Sequence, residues 1–205
     1  MSDLIFQPWP KTPRLFREIV VTEKIDGTNA QVFIFPANEI GVEGIDPKSP
    51  EAIFQEEFAL AYKDGYAIAA GSRNRFLTRE KDNFGFAKFV QENADSLFDL
   101  GEGRHFGEWW GKGIQRGYDL DYKMFSLFNT ARWNLENCPA CCSVVPILWQ
   151  GVFSDVEIDQ CLQDLKDKGS VASPGFMDPE GVIVFHTAAN QTFKYTMDDG
   201  HKEIG

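Results

Sequence analysis

The chain has 205 residues, of which 43% are hydrophobic, enough to bury the core of one globular domain and too many for a fibrous or disordered protein. Its formal net charge of −11 argues against a protein that coats nucleic acid through its overall field. No stretch approaches the roughly 20 apolar residues of a membrane span, and no signal-peptide pattern opens the chain. We therefore expect a cytoplasmic protein with no membrane partner.

Short runs of apolar and β-branched residues, bounded by turn residues, predict a chain made mostly of strands. In chain order the runs cover residues 18–25, 30–35, 59–70, 105–110, 122–128, 144–153, 181–186 and 192–195. Asp64-Gly65 interrupts the third run as a hairpin turn, because glycine accepts the positive φ of a type I′ turn. Apolar residues at helical spacing predict two helices, over residues 86–97 and 158–165.

The second helix has a marked start, since Ser154 and Glu157 form a capping-box pattern. Strands and helices do not alternate regularly, so we expect a mainly antiparallel α+β domain rather than a doubly wound parallel sheet. Residues 42–57, rich in acid and containing two prolines, are interpreted as an excursion between strands. The whole chain, residues 1–205, is expected to form a single domain.

Charge is distributed unevenly along the chain. Residues 71–132 carry 10 basic and 9 acidic side chains, so nearly all the acid excess lies outside this middle third. Contact with a polyanion is therefore expected there. The residues predicted to form this nucleic-acid surface are Arg75, Arg79, Lys112 and Arg116.

Residues 22–29, Thr-Glu-Lys-Ile-Asp-Gly-Thr-Asn, form the most informative segment. One interpretation is a hairpin, with Asp26-Gly27 as the turn and Lys24 as a solvated charge at a strand end. The other is a nucleophilic lysine held in a strand-turn-strand corner. A lysine with a pKa near 10.4 is neutral in only about one molecule in 2,500 at pH 7, so the second interpretation requires neighbouring cations or a metal ion.

Five further motifs follow in order. They are Ser-Arg-Asn-Arg at 72–75, Phe-Gly-Glu-Trp at 106–109, Lys-Met-Phe at 123–125, Glu-Gly-Val-Ile-Val at 180–184 and Phe-Lys at 193–194. Together with Lys-x-Asp-Gly at 24–27, they resemble the covalent nucleotidyltransferases, the superfamily of polynucleotide ligases and mRNA capping enzymes. The resemblance is closer to RNA ligases of the second bacteriophage T4 type, whose first motif contains Glu-Lys-Ile-x-Gly-x-Asn. It covers roughly residues 18–196.

The resemblance implies a nucleotide cleft between antiparallel sheets and a role for each matching residue. Lys24 would form a covalent lysyl-AMP adduct, Glu180 would associate with Mg²⁺, a hard ion that prefers oxygen ligands, and Lys194 would grip the α-phosphate. The implied nucleotide contacts are Glu23 and Asn29, Arg73 at the ribose or phosphate end, Glu108 at the ribose, and Phe125 stacked on adenine.

The implied function is that of an ATP-dependent RNA ligase or RNA-ligase-like adenylyltransferase. AMP would pass from ATP to Lys24 and then to a 5′-phosphate end, before a 3′-hydroxyl displaces it. Three alternatives stay open: a GTP-dependent capping-type enzyme, a DNA ligase, and a noncatalytic module that binds nucleotides or RNA ends. The expected partners are ATP and nucleic-acid ends, with RNA favoured over DNA.

Two features depart from the family pattern. Thr192 stands where the fifth motif usually has its first of two lysines, and the chain ends soon after Lys194. We therefore expect no appended C-terminal domain, so the chain is either a minimal enzyme or only the adenylation half of one. This leaves a role for a partner that binds the nucleic acid.

The cysteines allow a second, weaker metal interpretation. Cys138, Cys141 and Cys142 suggest half of a structural zinc site, which Cys161 or His186 would complete. Reduced thiols in a loop are the default interpretation, because four cysteines in a chain of this length make a poor disulfide framework.

Overall fold

A computed structural model describes residues 8–39 and 56–197. The strands of this part are β1 (Glu18–Lys24), β2 (Thr28–Pro36), β3 (Ala61–Lys63), β4 (Tyr66–Ser72), β5 (Phe76–Leu77), β6 (Gly103–Gly111), β7 (Lys123–Leu127), β8 (Cys142–Val144), β9 (Ile147–Val152), β10 (Gly181–His186) and β11 (Gln191–Thr196). The helices are α1 (Phe86–Glu92), α2 (Ala94–Leu97) and α3 (Asp155–Lys168), with short 3-10 turns at Ala37–Glu39, Glu56–Phe58, Phe98–Leu100 and Gly117–Asp119.

These strands form two sheets. The small sheet has the order β11-β10-β1-β9, and the large sheet has the order β3-β4-β2-β6-β7-β8, with β5 paired to β4. Within the described residues every pairing is antiparallel except that of β7 with β8. The predicted antiparallel α+β fold is thus confirmed.

Each sheet packs its helices on one face, because side chains alternate between the two faces of a strand. In the small sheet, Val21 and Val182 are buried against Leu165 of α3. In the large sheet, Trp109 and Phe125 are buried with residues of α1 and α2. We call the opposite faces of the two sheets the cleft faces; on the large sheet, Phe58 and Phe76 cover part of that face at Phe33.

Several local predictions are confirmed. The Asp64-Gly65 hairpin turn has φ values of 50° and 82°, as a type I′ turn requires. The hydroxyl of Ser154 accepts a hydrogen bond from the backbone N–H of Glu157 at the start of α3. The predicted helix over residues 86–97 divides at Asn93 into α1 and α2.

The predicted excursion at residues 42–57 lies outside the described residues except at its last two positions. No helix in the described ranges is both long enough and apolar enough to cross a membrane.

Candidate active site

Strand pairing in the small sheet brings the first and fourth predicted motifs together. Lys24 at the end of β1 is directly opposite Gly181 at the start of β10, so Glu180 lies beside the lysine. The Nζ atom of Lys24 forms an ion pair with Oε2 of Glu180, and both side chains are mostly buried. The ion pair therefore fixes the mostly buried Lys24 side chain, and the interpretation of Lys24 as a freely solvated charge is wrong.

The turn after Lys24 is fixed against the large sheet by close packing at Gly27. A Cβ atom on Gly27 would lie 2.6 Å from the carbonyl oxygen of Trp109 and 2.7 Å from Cβ of Trp110, so only glycine fits. The N–H of Asp26 donates to the Tyr118 hydroxyl at 2.8 Å. These contacts hold the end of β1 against the large sheet, close enough for the Lys24 charge to interact with Glu108.

Glu108 on β6 brings a carboxylate from the large sheet to the same place. It accepts hydrogen bonds from Nδ2 of Asn29, at 3.0 Å, and from the backbone N–H of Gly27. Burial raises the pKa of Glu108 to about 7, although the two hydrogen bonds and the Lys24 charge act in the opposite direction. The charge of Glu180 raises it further, which shows that Lys24, Glu108 and Glu180 share one electrostatic environment.

Glu23 belongs to a different environment from Lys24, because neighbouring residues of a strand point to opposite faces. Its carboxylate is buried and accepts hydrogen bonds from the Ser170 hydroxyl at 2.6 Å and from the N–H groups of Val171 and Ala172 at 2.8 Å each. Burial raises the pKa of Glu23, against these hydrogen bonds. The side chain therefore holds the 170–172 loop, of which Val171 and Ala172 line a pocket, and its predicted contact with nucleotide stays a prediction.

Phe125 also lies away from the cleft. It is opposite Trp109 on β6 and fully buried in the core, among the rings of Phe86 and Phe89. Glu108 is opposite Ser126, so the cleft face carries Ser126 and the residue two positions on, Phe128. Phe128 is 41% exposed. The predicted stacking aromatic is therefore misplaced, and Phe128 is the ring in this segment that reaches the cleft face.

Lys194 and Arg73 lie at the edges of the cleft. Lys194 is opposite Ile183, on the same face of the small sheet as Lys24, and strand spacing puts the two Cα atoms about 12 Å apart. Arg73 is exposed in the turn after β4, whose last residue, Ser72, is opposite Ala30. Neither residue contacts the Lys24–Glu180 pair directly in the described structure.

Two of the residues predicted to bind nucleic acid have structural partners instead. Arg75 donates hydrogen bonds to the carbonyl oxygens of Phe76 and Lys81, at 3.3 and 2.7 Å, and so braces its own loop. Arg116 forms ion pairs with Asp26, at 3.2 Å, and with Asp178, at 2.8 Å. Arg79 and Lys112 are exposed.

Tyr118 and the Ser170 loop were not predicted to take part in the site, and Arg116 was predicted only as part of the nucleic-acid surface. They act on Asp26 and Glu23, the residues that flank Lys24 within two positions. No short-range pattern marks them, because each comes from a loop far away in sequence.

A pocket of about 360 Å³ continues the cleft beside Ser126. Trp110, Trp133 and Ile147 contribute apolar walls, while Thr130 and Ser143 add hydroxyl groups. A few polar groups in a mainly apolar pocket of this size are typical of a site for a small organic molecule. Glu108 does not line the pocket itself, but its strand neighbour Ser126 does, so the pocket lies beside the site.

The carboxylates of the cleft fit a divalent ion delivered with phosphate. Oε2 of Glu180 is buried and, apart from its ion pair with Lys24, has no hydrogen-bond partner in the described part of the chain. No group of three or more His, Cys, Asp or Glu side chains suited to a metal occurs within residues 8–39 and 56–197. Mg²⁺ is commonly held by one or two carboxylates, with phosphates and water completing its shell, and Glu180 suits that arrangement.

The completed zinc site does not form within the described ranges. Cys161 is buried between α3 and the small sheet, and Nε2 of His186 lies 2.8 Å from the carbonyl oxygen of Leu15. Cys138, Cys141 and Cys142 instead pack beside the core of the large sheet. The prediction that Cys161 or His186 completes a zinc site is therefore wrong.

Comparison with known proteins agrees with this geometry. The sequence model described as "RNA ligase" matches residues 17–196. No curated protein matches. Among solved structures, a mutant Naegleria gruberi RNA ligase without ligand is similar with a TM-score of 0.54 and 17% identity over 89% of this chain and 50% of that chain. Another mutant of a Naegleria gruberi RNA ligase, with AMP and Mn, is similar with a TM-score of 0.56 and 16% identity over 90% of this chain and 51% of that chain.

These structural similarities show the shared fold. The chain spans about half the length of the solved structures that it matches.

Proposed function

Because the chain belongs to the RNA ligase family, we propose that it is an ATP-dependent RNA ligase that forms lysyl-AMP at Lys24. The observation that carries this proposal is the convergence of Lys24 with Glu180 and Glu108, from two sheets, in one partly buried cleft. A solvated lysine at a hairpin needs neither a buried carboxylate partner nor a second carboxylate nearby.

In the proposed first step, the ammonium of Lys24 gives up a proton and its nitrogen attacks the α-phosphorus of ATP. A nitrogen–phosphorus bond forms, the bond from the α-phosphorus to the bridging oxygen breaks, and pyrophosphate leaves with the electron pair of that bond. The carboxylate of Glu180, as the ion-pair partner of Lys24, would position the lysine nitrogen, and the proton would pass to bulk water, since the same carboxylate is proposed to hold the divalent ion.

The nucleotide would lie across the cleft with its base in the pocket beside Ser126. Phe128 would stack on the base, and Glu108 and Asn29 would contact the ribose. Arg73 and Lys194, at the opposite edges, would receive the phosphates, since both are exposed cations on the open side of the cleft. The buried Glu23 would act indirectly by fixing the strand end that presents Lys24.

A divalent ion, Mg²⁺ in this proposal, would be held by Glu180 together with the phosphates of ATP. When bound, such an ion neutralises the charge that develops on the phosphate oxygens. The solved relatives include mutants of Naegleria gruberi RNA ligase with ATP and Mn, which supports a divalent ion and ATP for this chain as well.

In the later steps, AMP would move from Lys24 to a 5′-phosphate end, forming a pyrophosphate linkage and releasing the lysine. A 3′-hydroxyl would then attack the 5′ phosphorus and expel AMP. We propose RNA ends as the substrates and the reducing cytoplasm as the compartment, which suits the free cysteines of the described residues.

The test is incubation of the purified chain with α-labelled ATP and MgCl₂, followed by denaturing electrophoresis and intact-mass measurement. We expect label and one adenylate mass to stay with the protein, to be absent when EDTA is present from the start of the reaction, and to be far weaker with α-labelled GTP. Stronger labelling by GTP would favour a capping-type enzyme. Absence of labelling with any nucleotide would favour a noncatalytic binding module.

A further inference from the structure

The cleft face of the large sheet continues past Glu108 as an exposed surface of aromatic rings and one cation. Two residues before Glu108 along β6 is Phe106, and two before that is Arg104, so all three side chains point to the same face. Phe106 is 46% exposed. We call Phe33, Arg104 and Phe106 the Arg104 platform.

Contacts hold the cation of this platform in place. The guanidinium of Arg104 lies over the ring of Phe33, 5.1 Å from its centroid, and over that of Phe106, at 5.2 Å. One of its nitrogens donates to Oε1 of Gln31 at 2.9 Å. Arg104 has no carboxylate partner among the ion pairs of the described residues, so its charge is available to an incoming anion.

We propose that the Arg104 platform binds the single-stranded RNA next to the reacting end, with a base stacked on Phe106 and a phosphate at Arg104. This inference rests on the proposed function, which brings a nucleic-acid end to the neighbouring Glu108. Stacked bases paired with a nearby cation are how single strands are held without sequence preference. In a chain with net charge −11, an arginine fixed at the mouth of the cleft supplies local attraction that the overall field does not.

The exposed ring of Phe106 is part of a larger aromatic surface. Phe106 is opposite Gln31 on β2, and the N–H of Phe128 donates to the carbonyl oxygen of Phe106 at 2.9 Å. Phe106 and Phe128 are thus cross-strand neighbours, which makes the platform continuous with the ring proposed to stack on the nucleotide base. A contiguous exposed apolar surface beside a polar cleft marks a binding site.

The test measures binding of a fluorescein-labelled 12-nucleotide RNA with a 5′-phosphate by fluorescence anisotropy, using the full chain. Phe106→Leu should weaken binding about fivefold or more, whereas Phe106→Trp, which keeps an aromatic face, should bind at least as well as the unaltered chain. Arg104→Gln should weaken binding and make the slope of log K against log salt shallower by about 0.7, because one phosphate contact is lost. Arg104→Lys should keep that slope.

Two matched controls point away from the cleft face of the sheets. Phe193→Leu removes a ring of similar exposure on the other face of the small sheet, and Lys166→Gln removes a cation at the end of α3. Both should bind RNA like the unaltered chain. Equal weakening by the controls, or binding within twofold for both Phe106→Leu and Arg104→Gln, would overturn the proposal.

The labelling assay separates the two proposals. If the chain takes label from ATP but its RNA binding is unchanged by these substitutions, the platform proposal is wrong and the proposed function stands. A chain that takes no label loses the proposed function whatever the RNA-binding result.

Discussion

The ammonium of Lys24 and the carboxylate of Glu180 form an ion pair at the matching ends of β1 and β10, two strands from opposite parts of the sequence. In this arrangement the lysine is held in position before any substrate arrives. The register of one strand pair, with Lys24 opposite Gly181, is sufficient to join the two motifs.

Lys24→Ala should remove covalent labelling by α-labelled ATP at least 100-fold. Lys24→Arg should fail equally, because a guanidinium keeps its proton in proteins and cannot act as the nucleophile. The matched control is Lys63→Ala, which alters a lysine that also precedes Asp-Gly but lies on the β3–β4 hairpin and contacts Asp95. Labelling that persists in Lys24→Ala would move the nucleophile elsewhere.

Glu108→Gln should stabilise the folded protein at pH 8 while it weakens labelling. Since the folded pKa is about 7 and the ordinary value is 4.5, the folded state binds more protons than the unfolded state between these pH values. Stability of the unaltered chain should therefore fall as pH rises through this window and level off above pH 7.

Urea unfolding at several pH values checks this second prediction. Glu108→Gln should show a flatter pH profile and a gain of about 2 kcal/mol at pH 8. Labelling should fall about tenfold or more, because a neutral amide with one acceptor oxygen replaces the charged carboxylate proposed to contact the ribose. A variant with the same pH slope as the unaltered chain would contradict the assignment of that slope to Glu108.

Glu23 should tolerate glutamine but not alanine. In Glu23→Gln the carbonyl oxygen can still accept from Val171 and Ala172, and the amide can donate to Ser170. Glu23→Ala leaves these buried groups without an acceptor, so it should cost about 2 to 4 kcal/mol of unfolding free energy and reduce labelling strongly.

The control for Glu23 is Glu18→Gln, an exposed position on the same strand. If Glu23→Gln abolished labelling while unfolding at the normal urea concentration, the side chain would touch the nucleotide in a charge-dependent way after all.

Arg116→Gln should slow self-adenylation several-fold by releasing Asp26 and Asp178. The apparent affinity for RNA and its salt slope should stay unchanged, because this guanidinium is occupied by carboxylates. In contrast, combined Arg79→Gln and Lys112→Gln should reduce only RNA binding. Single-turnover labelling and anisotropy on the same samples distinguish the two effects, and a shallower salt slope for Arg116→Gln would restore it to the nucleic-acid surface.

Gly27→Ala should abolish labelling and cost about 2 kcal/mol of unfolding free energy, because the added methyl group meets the backbone of β6. Gly65→Ala has open space but a φ of 82°, so it should cost about 1 kcal/mol and leave labelling intact. Normal labelling of Gly27→Ala would show that the Lys24 turn need not lie against β6.

The sequence allows the site to be predicted where a residue type and a strand end coincide. Lys24, Asn29 and Glu180 lie at or next to strand ends, and Glu108 lies within β6. The pairing of β1 with β10 joins Lys24 to Glu180, and that of β2 with β6 joins Asn29 to Glu108. The antiparallel fold class was equally accessible, since alternating apolar residues and turn residues mark most of the strands.

The sequence does not predict which face of a sheet a side chain occupies, or which groups an arginine binds. Phe125 and Phe128 are three residues apart, so they point to opposite faces, and only the pairing of Glu108 with Ser126 tells which one reaches the cleft. Arg75 and Arg116 have the composition of a basic patch, but whether such a side chain meets a carbonyl, a carboxylate or a phosphate depends on loops distant in sequence.

The place of β1 in the small sheet has a consequence for biosynthesis. β1 leaves the ribosome before the strands of the large sheet, yet its two neighbours, β9 and β10, are translated after them. The large sheet can therefore close while Lys24 still has no strand on either side, and Glu180 reaches it only when β10 pairs. In the proposed reaction, a nascent chain interrupted before that point would carry Lys24 without the carboxylate that positions it, and we expect such a chain to take no label from ATP.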